Sequence, residues 1–321
     1  MNPGAPARPV RVVVPEFLPD RHVQWLEEVA EVVYDPDLYA DRPRLLAELG
    51  SARAILIRNR TIVDGELLKA APALEVIGRL GVGLDNIDMD ATGSRRVQVI
   101  PAYGGNAVSV GEYVMGAILV LSRPVYAMTP SMVAGHWPRQ GHAFGREVAG
   151  QTLGLVGLGH IAREVAQRAA AFGMRVLAHD PFLPGDHAAW DTAQPVDFDS
   201  LMAEADVLSV HVPYSPDTHG LIDAAALGRM KRGAILINTS RGGIVDEPAL
   251  AEALRSGRLG GAALDVFESE PLGGEAASLF EGIDNLVLTP HLAGNTHESV
   301  ARIATMTVEA VLEALRTCPP T

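Results

Sequence analysis

Short apolar runs and longer stretches of helical spacing alternate along the whole chain. The first third predicts strands at Arg11–Val14, Val32–Tyr34, Ala54–Ile57, Val76–Gly78 and Gln98–Ile100. Helical patterns fall between them, near Arg21–Ala30, Pro43–Leu49, Gly65–Ala70 and Met89–Arg95. The later part predicts strands at Leu153–Val156, Arg175–His179, Val207–Val210, Ala234–Ile237, Ala262–Asp265 and Leu286–Leu288. Apolar strands alternating with helices belong to parallel sheets covered on both faces, so the fold class is α/β. Two long helical runs stand apart. Asn106–Leu121 is too apolar for a solvated surface, which suits burial between domains or in a homodimer interface. Glu298–Arg316 is amphipathic, follows the last strand and is expected to cross back onto the first sheet.

The most informative letters are Gly154-Leu-Val-Gly157-Leu-Gly159-His-Ile-Ala162. An apolar run from Thr152 to Val156 leads into them, an alanine-rich helical run from Ile161 to Ala171 leaves them, and Asp180 follows the next strand. Strand, glycine turn, helix, strand and acid together make a dinucleotide-binding unit. Gly157 permits the tight turn, Gly159 lets backbone N–H groups approach a pyrophosphate, and the small Ala162 lets helix and strand pack closely. Asp180 lies 23 positions after Gly157, close to the spacing of an acid that bonds the adenosine ribose hydroxyls. A carboxylate there repels a 2′-phosphate, and no arginine follows in Asp180-Pro-Phe-Leu-Pro. The expected cofactor is NAD, not NADP. Six strands from this turn onward suit a complete doubly wound Rossmann domain, and the five earlier ones a smaller flavodoxin-like domain.

Composition narrows the setting. The 321 residues suffice for two cores, and 48% hydrophobic with 20% charged residues is ordinary for a globular protein. A formal net charge of −13 argues against nucleic acid or an anionic membrane as partner, and makes any arginine cluster in a pocket more telling. The single cysteine, Cys318, allows no internal disulfide. Met1–Pro9 reads as a disordered leader without the apolar segment of a signal peptide. No apolar run approaches the ~18 residues of a membrane span, so a cytoplasmic protein is expected.

Candidate chemistry gathers at strand ends, where open parallel sheets bind ligands. Arg241 follows an apolar strand in Ile237-Asn-Thr-Ser-Arg-Gly-Gly-Ile-Val-Asp-Glu247; Asp265 closes the next strand; Glu270 precedes Pro271; His291 follows Pro290 after the last strand. Each alone has a bland explanation, but an arginine, carboxylates and a histidine on one edge with a dinucleotide suggest a reaction centre. No metal is expected: the histidines, including His136, His142 and His297, form no ligand-spaced cluster.

Together the Gly-Leu-Val-Gly-Leu-Gly-His-Ile-Ala turn, Asn-Thr-Ser-Arg-Gly-Gly-Ile-Val-Asp-Glu, Ala-Leu-Asp-Val-Phe-Glu-Ser-Glu-Pro and Thr-Pro-His-Leu-Ala-Gly resemble the D-isomer-specific 2-hydroxyacid dehydrogenases, in particular their phosphoglycerate dehydrogenase branch. Ala162 replaces the usual third glycine, and His179 stands where the family often has an aromatic residue. The resemblance implies a substrate domain over residues 10–103, completed by 293–321, an NAD-binding domain over 104–292, and an active site in the cleft between them. It implies His291 as acid/base, Glu270 as the carboxylate that holds the imidazole and favours its charged form, and Arg241 as the grip on the substrate carboxylate. Asp265 would anchor the nicotinamide carboxamide, with Val212, Thr239, Ser240 and Gly294 lining the cofactor. Backbone at His160 and Ile161 would face the pyrophosphate.

The same resemblance makes Arg79-Leu-Gly81-Val82-Gly83 a substrate loop whose N–H groups converge on a carboxylate. Arg58 matches an arginine of phosphoglycerate-type members, and Arg60 adds a cation two positions on. With Arg79 they suggest a second anionic group on the substrate. The expected activity is therefore that of an NAD-dependent 2-hydroxyacid dehydrogenase on 3-phosphoglycerate or sulfolactate, the Arg58-Asn59-Arg60 pattern being similar to sulfolactate dehydrogenases. Hydroxypyruvate or glyoxylate reduction is the alternative. Formate dehydrogenase is disfavoured, because that branch carries Gln where Glu270 stands. A second alternative is an NAD-sensing module like the corepressors of C-terminal-binding-protein type, which share this fold. A homodimer through Asn106–Leu121 is expected, and the loop Trp137-Pro-Arg139 has no assigned role.

Overall fold

The computed structural model describes residues 10–139 and 145–317; the N-terminal leader, His142 and Cys318 lie outside the described residues. The chain divides into two compact units, with boundaries after Asn106 and after Asn295; the segment beyond the second boundary belongs with the first unit.

The first unit is built on five parallel strands: β1 (Arg11–Val14), β2 (Glu31–Tyr34), β3 (Ala54–Ile57), β4 (Val76–Arg79) and β5 (Gln98–Pro101). Their order, β2-β1-β3-β4-β5, is the flavodoxin-like one. β3 and β4 are buried throughout, whereas the edge strands β2 and β5 are partly exposed. Alternation sends Val12, Val14, Leu56 and Val76 to one face and Val13, Ile55, Ile57 and Ile77 to the other. The helix His297–Thr317 covers the first face with Ala304, Val308, Val311 and Leu315.

The second unit has seven parallel strands: β6 (Thr152–Val156), β7 (Arg175–His179), β8 (Gln194–Pro195), β9 (Val207–Val210), β10 (Ile235–Asn238), β11 (Gly261–Leu264) and β12 (Leu286–Leu288). The order β12-β11-β10-β9-β6-β7-β8 is doubly wound, reversing at β6. One face is covered by helices Ala107–Ser122 and His160–Ala171, which pack on each other and on Leu153, Leu155 and Ile237. Leu201, Leu227 and Leu250 pack on the other face, around Leu208 and Leu236. Two details differ from the pattern in the sequence. β8 is an additional edge strand of two residues, with too little apolar content to register as a run. Asp265 lies just past the end of β11 rather than within it.

Candidate active site

The candidate residues of the second unit lie on loops that leave the carboxyl ends of its parallel strands. After β6, Gly157 takes φ 88°, a left-handed turn open to glycine at no steric cost, and its N–H donates to His179 O at 2.8 Å. Gly159 is the N-cap of His160–Ala171, and no side chain caps that helix. Its first-turn N–H groups, His160 and Ile161 among them, therefore form an open anion site. Ala162 is fully buried behind them. Asp180 stands beyond β7, its Oδ2 accepting from Leu158 N–H at 2.9 Å and its Oδ1 from Phe182 N–H at 3.1 Å. The carboxylate thus ties the glycine turn to the end of β7.

Further along the edge, Val212 follows β9 and is half-buried. His211 beside it bonds Ser209 Oγ at 2.9 Å, and burial of its ring lowers its pKa to about 3. After β10, Thr239 is buried with its hydroxyl oxygen lacking a protein partner, a polar atom left for a ligand. The turn that follows is clamped by Asn238, 2% exposed: its Nδ2 donates to Arg241 O at 2.9 Å, and its Oδ1 accepts from Ser240 N–H at 3.1 Å and Ser240 Oγ at 2.7 Å. That fixes the point from which Arg241 departs; its guanidinium also donates to Ser240 O at 2.6 Å.

Asp265 follows β11 and is 1% exposed. Its carboxylate accepts from Thr289 Oγ1 at 2.6 Å and from the N–H groups of Leu292 and Ala293, each at 2.8 Å, and Thr289 is linked in turn to Tyr113 Oη at 2.7 Å. Burial raises the Tyr113 pKa, so the phenol stays protonated and neutral. Asp265 therefore braces the 289–293 loop as well as standing where a nicotinamide anchor is expected, with Gly294 next to the braced segment. Inside this loop His291 adopts φ 56°, unusual for a residue with a side chain, held by its N–H on Asp265 O at 2.8 Å.

The pair at the centre is His291 and Glu270. His291 Nδ1 lies 2.9 Å from Glu270 Oε2, while Glu270 Oε1 accepts from Phe267 N–H at 3.1 Å. Both side chains are part-exposed, at 49% and 38%, and the contact with Glu270 uses Nδ1 and not Nε2. Glu247, 6% exposed, supports the same segment by accepting from Glu268 N–H at 2.7 Å. Burial raises its pKa, and the neighbouring carboxylates Glu268 and Glu270 add to the rise. Gly242 brings the arginine loop against this segment: a Cβ there would fall 1.9 Å from Phe267 O. Asn238, Thr289, Tyr113 and Glu247 were not singled out in the sequence; Asn238 and Thr289 at least lie close to candidate residues, while Tyr113 and Glu247 carry no such signal.

In the first unit, Arg58 and Arg60 leave the carboxyl end of β3 and Gly81, Val82 and Gly83 that of β4. Arg79 is 8% exposed and its Nε donates to Gly83 O at 2.8 Å, so its guanidinium packs within its own loop. Arg60 is exposed and Arg58 part-exposed. Arg58 stacks 6.0 Å from the Phe17 ring and Arg60 5.1 Å from the Tyr39 ring. Among the described residues no group of three or more His, Cys, Asp or Glu side chains could hold a metal ion, and no helix is long and apolar enough to cross a membrane.

A doubly wound sheet with an uncapped glycine-turn helix, an unpartnered buried hydroxyl and a His–Glu pair on one edge fits a dinucleotide-dependent dehydrogenase. Over residues 115–293 the chain matches the family described as D-isomer specific 2-hydroxyacid dehydrogenase, NAD binding domain. An (S)-sulfolactate dehydrogenase of Chromohalobacter salexigens is 52% identical over 305 residues, covering 95% of this chain and 98% of that one. A D-3-phosphoglycerate dehydrogenase of Mycobacterium leprae is 45% identical over 275 residues, covering 86% of this chain but 51% of its own, so the chain spans about half of its length. The crystal structure of the TT0316 protein from Thermus thermophilus matches with a TM-score of 0.84 at 34% identity, covering 97% of this chain and 98% of that one. The chain belongs to the D-isomer-specific 2-hydroxyacid dehydrogenase family. It is an NAD-dependent oxidoreductase acting on the CH–OH group of 2-hydroxy acids.

Proposed function

We propose that the substrate is a small 2-hydroxy or 2-oxo acid with a second anionic group, a sulfonate or phosphate as in sulfolactate or 3-phosphoglycerate. The observation that carries this reading is at Arg58 and Arg60. Among the described residues no carboxylate pairs with either, whereas Arg11, Arg42, Arg44 and Arg53 of the same unit each have an acidic partner. Arg58 and Arg60 stand at the carboxyl end of the central strand β3, next to β4, whose loop carries Gly81 and Gly83. In a chain of net charge −13, two guanidinium groups on one short loop, neither paired with an acidic side chain, favour an anionic ligand. The names of the sulfolactate and phosphoglycerate relatives agree with that chemistry.

The second unit holds NAD and the first holds the substrate in this reading. Bound NAD supplies or accepts the hydride at the substrate's C2. Arg241 grips the C1 carboxylate with its planar fork and polarises the C2 oxygen. His291 Nε2 gives a proton to that oxygen on reduction and takes it back on oxidation, while Glu270 holds Nδ1 and so fixes the ring and its tautomer. The N–H groups at Gly81–Gly83 suit an anionic group of the substrate. Asp180 receives the adenosine ribose hydroxyls, and the hydroxyl of Thr239 faces the cofactor.

Removing one charge tests the substrate reading. Arg58→Ala is expected to raise KM for sulfopyruvate or phosphohydroxypyruvate by about ten- to a hundredfold, the worth of one charged hydrogen bond. KM for glyoxylate, which lacks the second anion, is expected to stay unchanged; equal effects on both would overturn the reading. The oligomer and compartment belong to the same proposal. Val120, Val125, Tyr126, Val133 and Trp137 are exposed on and beyond helix Ala107–Ser122, an apolar surface suited to a second copy of the chain. A cytoplasmic homodimer follows, consistent with NAD dependence and a single cysteine.

A further inference from the structure

The loop that carries Arg58 and Arg60 is clamped from both sides. Glu16, beyond β1 and 3% exposed, directs its carboxylate into it. Oε1 accepts from Arg58 N–H at 2.8 Å and Thr61 N–H at 3.0 Å, and Oε2 from Arg60 N–H at 3.1 Å. Asn86, from the segment after the glycine loop, donates its Nδ2 to Arg58 O at 2.9 Å and Thr61 O at 2.6 Å. A surface loop ordinarily satisfies these backbone groups with water. Here one buried carboxylate and one amide satisfy them, and both depend on tertiary contacts rather than on local turn chemistry.

The consequence is preorganisation. With the backbone of Arg58–Thr61 fixed, the Cα–Cβ directions of the two arginines are fixed as well. Their guanidinium groups then lie along the rings of Phe17 and Tyr39, with the Tyr39 hydroxyl accepting from Arg60. An aromatic face holds a cation without cancelling its charge, as a carboxylate would. Neither long side chain has to be ordered when an anion arrives, so less conformational entropy opposes binding.

We propose that Glu16, assisted by Asn86, is a specificity-determining positioning residue: it contacts no substrate but fixes the loop whose two arginines read the second anion. The proposal rests on the assignment of Arg58 and Arg60 to that anion. The test uses the full chain with NADH and compares sulfopyruvate and phosphohydroxypyruvate with glyoxylate. Glu16→Gln keeps the side-chain size but puts an NH2 group against a backbone N–H. It is expected to raise KM for the doubly charged acids about tenfold, with kcat and the KM for glyoxylate held within about twofold. Adding Arg58→Ala to it should cost less than the two effects combined, because both act through one loop. Should Glu16→Gln fail to fold, judged by its thermal melt, Asn86→Ala is expected to give the same selective rise.

If Arg58→Ala is selective but Glu16→Gln and Asn86→Ala raise KM for all acids alike, or for none, the clamp is structural only and the proposal falls alone. If Arg58→Ala itself is unselective, the second-anion reading fails and the proposal falls with it.

Discussion

The His291–Glu270 pair combines a strained backbone with a short side-chain contact. A histidine at φ 56° persists because its loop is tied down by Asp265 through three hydrogen bonds to the carboxylate and one to the backbone oxygen. The result is an imidazole whose Nδ1, and not Nε2, is engaged by Glu270. Glu270→Gln keeps the shape but removes the charge, so kcat is expected to fall by about 10²-fold and the pH profile to shift. An unchanged profile would remove Glu270 from the proton-transfer step. Asp180 works differently, since it braces the glycine turn through Leu158 N–H as well as standing at the proposed ribose position. Asp180→Ala therefore weakens binding of both cofactors, and the informative readout is the ratio of kcat/KM with NADH to that with NADPH. A fall of about tenfold or more is expected; an unchanged ratio would contradict the assignment.

At the scale of elements, the strands and the glycine turn were legible because period and composition encode them directly. Val12 and Val14 face one way and Val13 the other, an alternation that needs no tertiary information. The edge strand β8 was not legible, being two residues that include a proline. The clamps were equally hidden. Glu247, Glu16 and Asn86 bond backbone groups on segments brought near only by folding, and nothing in their immediate neighbours announces it; Asn238 acts locally, within the turn that follows it. Arg79 was legible as a cation beside a glycine loop; that its Nε also braces that loop on Gly83 O was not. Gly242 is where two loops meet. Gly242→Ala would set a Cβ against Phe267 O, parting the Arg241 turn from the Glu270 segment. The expected outcome is loss of about 10²-fold or more in kcat/KM, since a misplacement of about 1 Å at a positioned group has that effect. A variant with full activity would show that the contact does not organise the centre.

For the whole molecule, acid stability follows from groups held in one protonation state. His211 has its pKa lowered from the ordinary 6.5 to about 3 by burial, so the folded protein keeps it neutral. Between those values the unfolded chain binds the extra proton and the folded one does not. Stability is therefore undiminished above 6.5 and declines as the pH falls toward 3. Asp206 acts in the same direction: burial raises its pKa, but the Thr152 N–H, Lys231 and Arg146 together bring it below the usual range. Its contribution is present above the ordinary carboxylate pKa and is lost as pH falls through the lowered value. His211→Gln is expected to lose less of its urea midpoint between pH 7.5 and pH 4.5 than the parent does, the lower figure lying inside the window where the two states differ in protons, about 3 to 6.5. An identical loss would place the acid sensitivity elsewhere.

The central claim, that this dehydrogenase reads a second anion, is tested most directly by the absorbance decay of NADH with the unaltered protein. The substrates are sulfopyruvate, phosphohydroxypyruvate, hydroxypyruvate and glyoxylate, compared by kcat/KM. A preference of about a hundredfold or more for one of the first two is predicted, as one or two charged contacts would supply. An equal response to all four, or a preference for glyoxylate or hydroxypyruvate, would contradict it and reduce Arg58 and Arg60 to surface residues of a broad small-acid reductase.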